Sequence, residues 1–164
     1  MARSLGRKLP PSLVERLAQR NLAARLGVAL PFVTVDAAGR PHPMLLSYLE
    51  VRAYDAGSLG LVLQSRSTSA RNLVEHGVGT LLILEPDAIV YVKTRHIDGP
   101  LGVPGDEALG YFLLGVDEVL EDAAAEWEGA MRVTGAVTYA PPPRLDAPWA
   151  QATLAALATP RARA

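Results

Sequence analysis

The 164-residue sequence predicts a mainly β protein: one antiparallel barrel with helices plugging its ends. Three observations carry this. Six or seven extended segments, rich in Val, Leu and Ile, follow one another from residue 28 to residue 139, separated by short turns. Just one short helical pattern interrupts them, between the third and fourth segments. A doubly wound sheet would alternate strand and helix throughout. The remaining helical patterns lie at the two ends, over 12–26 and 148–158, so residues 1–164 read as one domain.

Taken in order, Ser12 and Glu15 have capping-box spacing after Pro10-Pro11. Val14, Leu17, Ala18, Leu22 and Leu26 then recur at helical spacing up to Gly27. Arg16, Arg20 and Arg25 fall mostly off that stripe, as a solvated face or as a basic face for an anionic partner. Val28–Asp36 is the first strand, and Ala37-Ala38-Gly39-Arg40 turns it. Pro41–Tyr54 reads as one long extended segment. Pro41 and Pro43 place its start at an edge or a bulge, because proline cannot donate to a ladder. Leu59–Gln64 is the third strand. Ser67-Thr68-Ser69 opens the short helix, and Gly77 ends it. Val78–Leu84 and Ala88–Ile97 form a hairpin around Glu85-Pro86-Asp87. The Gly- and Pro-rich 98–108 reads as a loop. Gly110–Leu120 reads as a strand by its β-branched residues, with a helix as the alternative over its first half. Met131–Tyr139 reads as the last strand, Pro141-Pro142-Pro143 breaks it, and Thr159–Ala164 reads as a frayed tail.

Composition narrows the chemistry. The absence of cysteine excludes disulfides, thiolate metal sites, iron–sulfur clusters and cysteine nucleophiles. A net charge of −1 gives no broad positive field for nucleic acid or an anionic membrane. No apolar run approaches the roughly 18 residues of a spanning helix, and no leader pattern stands out, so the expectation is a soluble cytoplasmic protein. His42, His76 and His96 lack metal-ligand spacing. The acids Asp117, Glu118, Glu121, Asp122, Glu126 and Glu128 lack a calcium-loop pattern and read as a solvated edge. Of the 16 basic residues, only Lys8 and Lys93 are lysines.

Two polar clusters remain. Gln64, Ser65, Arg66, Ser67, Thr68, Ser69 and Arg71 sit where a strand ends and a helix begins. Unpaired N–H groups and a positive dipole end make such a place suited to phosphate, and the arginines add charge and forked geometry. The same serines could serve only to cap the helix. The second cluster is Gly39-Arg40-Pro41-His42-Pro43, followed by Met44, Leu45, Leu46 and Ser47. His42, held in a stiff segment, could meet a ligand or be purely structural.

In this order and on these elements, the clusters resemble the pyridoxamine 5′-phosphate oxidase-like FMN-binding split-barrel family. The matching stretches are Phe32 through Pro43, Leu59-Gly-Leu-Val-Leu-Gln-Ser, Ser67-Thr-Ser-Ala-Arg-Asn-Leu and Gly79-Thr-Leu-Leu-Ile-Leu. The resemblance spans roughly residues 28–98, and more loosely 110–139. It implies a six-stranded split barrel, a homodimer with FMN between the subunits, and a flavin-dependent oxidoreductase of unknown substrate. Arg66, Ser67, Thr68, Ser69 and Arg71 would surround the phosphate. Met44, Leu45, Leu46 and Ser47, with Gln64 and Ser65, would lie along the flavin ring, and His42 near it. Ser69 stands where many members carry a lysine, so either the neighbouring arginines replace that charge or FMN binding is lost. The alternative is a non-catalytic barrel that binds a flavin, haem or a deazaflavin.

Overall fold

Eight strands join in one antiparallel sheet in the computed structural model, which describes residues 2–129 and 131–162. They are β1 (Ala2–Gly6), β2 (Ala29–Val35), β3 (Pro41–Ser47), β4 (Val51–Ala53), β5 (Ser58–Gln64), β6 (Val78–Glu85), β7 (Ala88–Val103) and β8 (Asp106–Asp122). Three helices accompany them: α1 (Pro11–Leu17), α2 (Thr68–His76) and α3 (Pro148–Leu157). The strand order is β3-β2-β6-β7-β8-β5-β4, with β1 also on β8. The end strands β3 and β4 are joined directly by a 3-10 turn at Tyr48–Glu50, so the sheet curls towards closure without a ladder across the gap. This is the mainly β, helix-flanked class that the sequence predicts.

Burial follows the period of two expected for a sheet with one packed face. On β6, Gly79, Leu81, Ile83 and Glu85 point inward while Thr80, Leu82 and Leu84 are half-exposed. Phe32, Leu46, Leu61, Phe112 and Val119 meet these residues in the core. β3 is an edge strand, as Pro41 and Pro43 require.

Several boundaries differ from expectation. The first helix stops at Leu17 and a 3-10 turn follows at Leu22–Ala24, with no side-chain cap at its start. Gln19 breaks it by adopting φ 61°. Its amide nitrogen lies 3.1, 2.9 and 3.1 Å from the carbonyls of Tyr48, Leu49 and Val51. Those hydrogen bonds offset a left-handed conformation that costs on the order of 1 kcal/mol or more. The long segment 41–54 is cut after Ser47, whose N–H and hydroxyl both donate to Glu50.

Residues 98–108 are not a loop. β7 and β8 run through them, absorbing the extra residues as register shifts. Gly99 lies at φ 116°, against the Tyr111 carbonyl where a side chain would collide. Met131–Tyr139 is not a strand. It makes only the bridge Val28–Thr138, flanked by Ala29 N–H to Val137 and Tyr139 N–H to Gly27. β6 takes the neighbouring side of β2 only from Phe32 to Thr34, which leaves the chain before it as the one contact. Of the seven extended segments read from the sequence, 131–139 is lost and β1 and β4 are added, so the strands number eight rather than the six of the expected barrel. Of the tail, residues 163 and 164 lie outside the described residues.

Candidate functional site

The start of α2 is built by its sequence. The Ser67 hydroxyl accepts the Ala70 N–H at 3.1 Å and the Ser67 carbonyl accepts that of Arg71. The amides of Thr68 and Ser69, ahead of Ala70, have no carbonyl partner within the helix. Thr68 is exposed, and its hydroxyl accepts from Arg71 Nη2 at 3.3 Å. Ser69 is buried and presents no charge. At the other end, Gly77 at φ 70° closes the helix with its N–H on Leu73.

Asn72 is also buried. It donates to Thr34 Oγ1 at 3.0 Å, and Thr34 donates to the His42 carbonyl at 3.3 Å. That chain ties α2 across β2 to β3. The Asn of the motif is therefore a structural strut, leaving the hydroxyl and arginine side of the helix open.

Arg66 and Arg71 are both exposed and lie in different clefts. Arg66 lines one of about 390 Å³ with Gln64, Ser65 and Glu107. Ser65 is fixed there by its N–H and hydroxyl on the Ala108 carbonyl, at 2.8 and 3.0 Å. Arg71 lines another of about 370 Å³, with Thr68, Glu75 and the 36–40 turn. Asp36 organises that turn by accepting the Ala38 and Arg40 N–H groups, both at 2.9 Å. The Arg40 N–H bond, opposed by a smaller effect of burial, holds the Asp36 carboxyl below its ordinary value.

Along β3 the side chains alternate. His42 and Met44 are half-buried, and Leu46 is fully buried in the core. Leu45 faces outward with half its surface exposed. Ser47 is buried against Glu50, whose carboxyl burial pushes above its ordinary value despite the Ser47 contacts. The structure thus brings Thr68 and Arg71 together, turns Ser69 inward, and sets Gln64, Ser65 and Arg66 apart as a second group.

Two features escaped sequence reasoning. The first is a network beneath the barrel. Glu85, 7% exposed, accepts Arg16 and Arg25, each at 3.0 Å, and the Tyr48 hydroxyl. Arg16 also reaches Asp87 at 2.5 Å, and Arg25 lies over the Tyr48 ring at 5.4 Å. Burial, then the Glu85 hydrogen bond, raises the Tyr48 hydroxyl above the usual phenol range. The arginines read as a solvated face are thus partly structural, though Arg20 does pair on the surface with Glu15. Nothing in the sequence marks contacts between residues 37 to 71 positions apart.

The second is a cavity of about 570 Å³ on the outer face of the sheet. Val33, Val35, Pro41 and Val78 line it at one end, and Arg7, Lys93, Asp117 and Glu118 at the other. None of the expected cofactor-site residues lines it, although Gly39 and Pro41 of the second polar cluster and the acids Asp117 and Glu118 do. β1, which walls it, has no apolar alternation to reveal it: its pairing to β8 is by backbone.

No family model matches this sequence, and no curated protein does. Solved structures match the fold. A Lactobacillus delbrueckii protein assigned as a pyridoxamine 5′-phosphate oxidase shares 17% identity, with a TM-score of 0.54 over 71% of this chain and 97% of that one. An FMN-binding protein of Syntrophomonas wolfei shares 12% identity, with a TM-score of 0.53 over 70% of this chain and 89% of that one. The fold is that of the pyridoxamine 5′-phosphate oxidase-like split barrels. HupZ of Group A Streptococcus has it as well, at 11% identity and a TM-score of 0.54, covering 78% of this chain and 98% of that one. In this split barrel the gap between β3 and β4 is spanned by the 48–50 turn. No helix among the described residues is long and apolar enough to cross a membrane.

Proposed function

We propose that this split barrel binds FMN and acts as a flavin-type oxidoreductase, as a homodimer with the cofactor between its subunits. The observation that carries the reading is the opening of α2, where the Arg71 guanidinium meets the Thr68 hydroxyl beside the first amides of the helix. These are the donors a phosphate dianion calls for, and the residues fit the group. The likeness to a fold that includes an FMN-binding protein supports it.

Arg71, rather than Ser69, would supply the positive charge. His42, Met44 and Leu45 on β3 would flank the ring, and Gln64, Ser65 and Arg66 would bound its far side. Leu46 and Ser47 would act from the interior by holding β3 in register. FMN, when bound, supplies the redox chemistry, and the chain's residues bind and orient it. The exposed Leu45 on an edge strand marks the side that a second copy would cover.

Titration of the purified protein with FMN, followed by flavin fluorescence, tests the reading. Saturable binding, weakened about tenfold or more by Arg71→Ala and less by Arg66→Ala, is the expected result. Absence of measurable FMN affinity refutes it. A monomer mass by light scattering refutes the dimer.

A further inference from the structure

The cavity on the outer face of the sheet lies apart from the opening of α2. It crosses the sheet from β2 and β6 to β7, β8 and the end of β1, and at about 570 Å³ it has the size of a small-molecule pocket. One end is apolar, formed by Val33, Val35 and Val78. The other is charged, and its charges can be accounted for pair by pair. Lys93 pairs with Glu118 at 2.7 Å, and the adjoining Arg95 pairs with Asp117. Further along the β1–β8 ladder, Arg3 pairs with Glu121. These pairs follow from register, since Lys93 lies opposite Glu118 and Arg3 opposite Glu121. Arg7 is left over. It lines the cavity and has no acidic partner among the described residues.

Gly6 places it there. At φ 102° Gly6 takes a backbone conformation that suits glycine, and the chain turns off β8 into the cavity's rim. Of the hydroxyls that line it, Thr94 donates to the Gly79 carbonyl at 3.0 Å, Thr34 donates to the His42 carbonyl, and Ser4 accepts the Gly6 N–H at 3.3 Å. The pocket therefore offers an apolar end and, among the described residues, one cation without an acidic partner.

We infer that this trough binds a small amphipathic anion, with a flat apolar body on Val33, Val35 and Val78 and one carboxylate or sulfonate on Arg7. The site is separate from the α2 opening and stands or falls without FMN binding.

Two naphthalene probes test it on the full chain. 8-Anilinonaphthalene-1-sulfonate carries the anion, and N-phenyl-1-naphthylamine is its neutral counterpart. Fluorescence titration should show one saturable sulfonate site per chain, displaced by 2-naphthoate. Arg7→Gln should weaken the sulfonate about tenfold and leave the neutral probe unchanged. Val78→Glu should weaken both, and Arg66→Gln neither. Arg7 is exposed, so its variant should keep the wild-type circular dichroism and melting curve. Unchanged sulfonate affinity in Arg7→Gln, an equal loss of both probes, or a matching loss in Arg66→Gln would each overturn the assignment.

Discussion

Replacing Glu85 by Gln should cost the protein about 3 kcal/mol of stability. The side chain of Glu85 is 9% exposed and that of Arg16 is 10% exposed, so both charges are largely out of water. Breaking a buried pair from one side costs roughly 3–5 kcal/mol, because the remaining charge is left uncompensated. Two features point to the lower end. Arg16 keeps Asp87, and Arg25 at 29% exposure can recover some hydration. For a chain of this length about 3 kcal/mol corresponds to a fall in Tm of roughly 6–12 °C. Urea unfolding at neutral pH, with a thermal scan beside it, measures both. A loss below about 1 kcal/mol would refute the reasoning, since it would mean that the network is effectively solvated. The triple change Glu85→Leu, Arg16→Met, Arg25→Leu should recover most of the loss, because it leaves no buried charge unpaired.

Other expectations rest on single contacts. Asn72→Ala should lower stability by about 1–2 kcal/mol in urea while leaving FMN affinity unchanged, because Asn72 holds Thr34 inside the fold. Gly79→Ala should cost roughly 1–3 kcal/mol, as the new methyl would overlap the buried Phe32 ring; an unaltered melting curve would show that the ring can yield. Asp87 is held below its ordinary value of 3.8, first by its hydrogen bond from Arg16. A lowered carboxyl contributes stability that is complete above that value and lost as pH falls through the depressed one. The stability gap between wild type and Asp87→Asn should therefore close in unfolding titrations carried below pH 3.8.

The hairpin at Glu85-Pro86-Asp87, the Ser67 cap, the Gly77 stop and the helix at Pro148 were all legible locally. Each depends on residues within a few positions: alternation, a capping hydroxyl, a glycine able to take positive φ. The α2 motif was legible for the same reason, although which of its polar residues face outward was not. Asn72 and Ser69 have the same polar character as Thr68 and Arg71, and only packing against β2 turns the first two inward.

Gln19 shows the opposite case. Its neighbours continue a helical pattern to Leu26, yet the carbonyls of a turn 29 to 32 residues away recruit its amide and end the helix. Glycine and proline at 98–108 read locally as a loop, but two long partner strands carry them as bulges. By itself, the sequence determined the β-rich class, most strand positions and the polar opening of α2, because periodicity and capping are short-range. Tertiary structure alone decided the pairing of β1 with β8, the separation of Arg66 from Arg71, the Glu85 network and the outer trough with its unpaired Arg7. All four depend on strand register and on contacts between distant segments, and a residue's type carries no record of what the folded chain sets beside it.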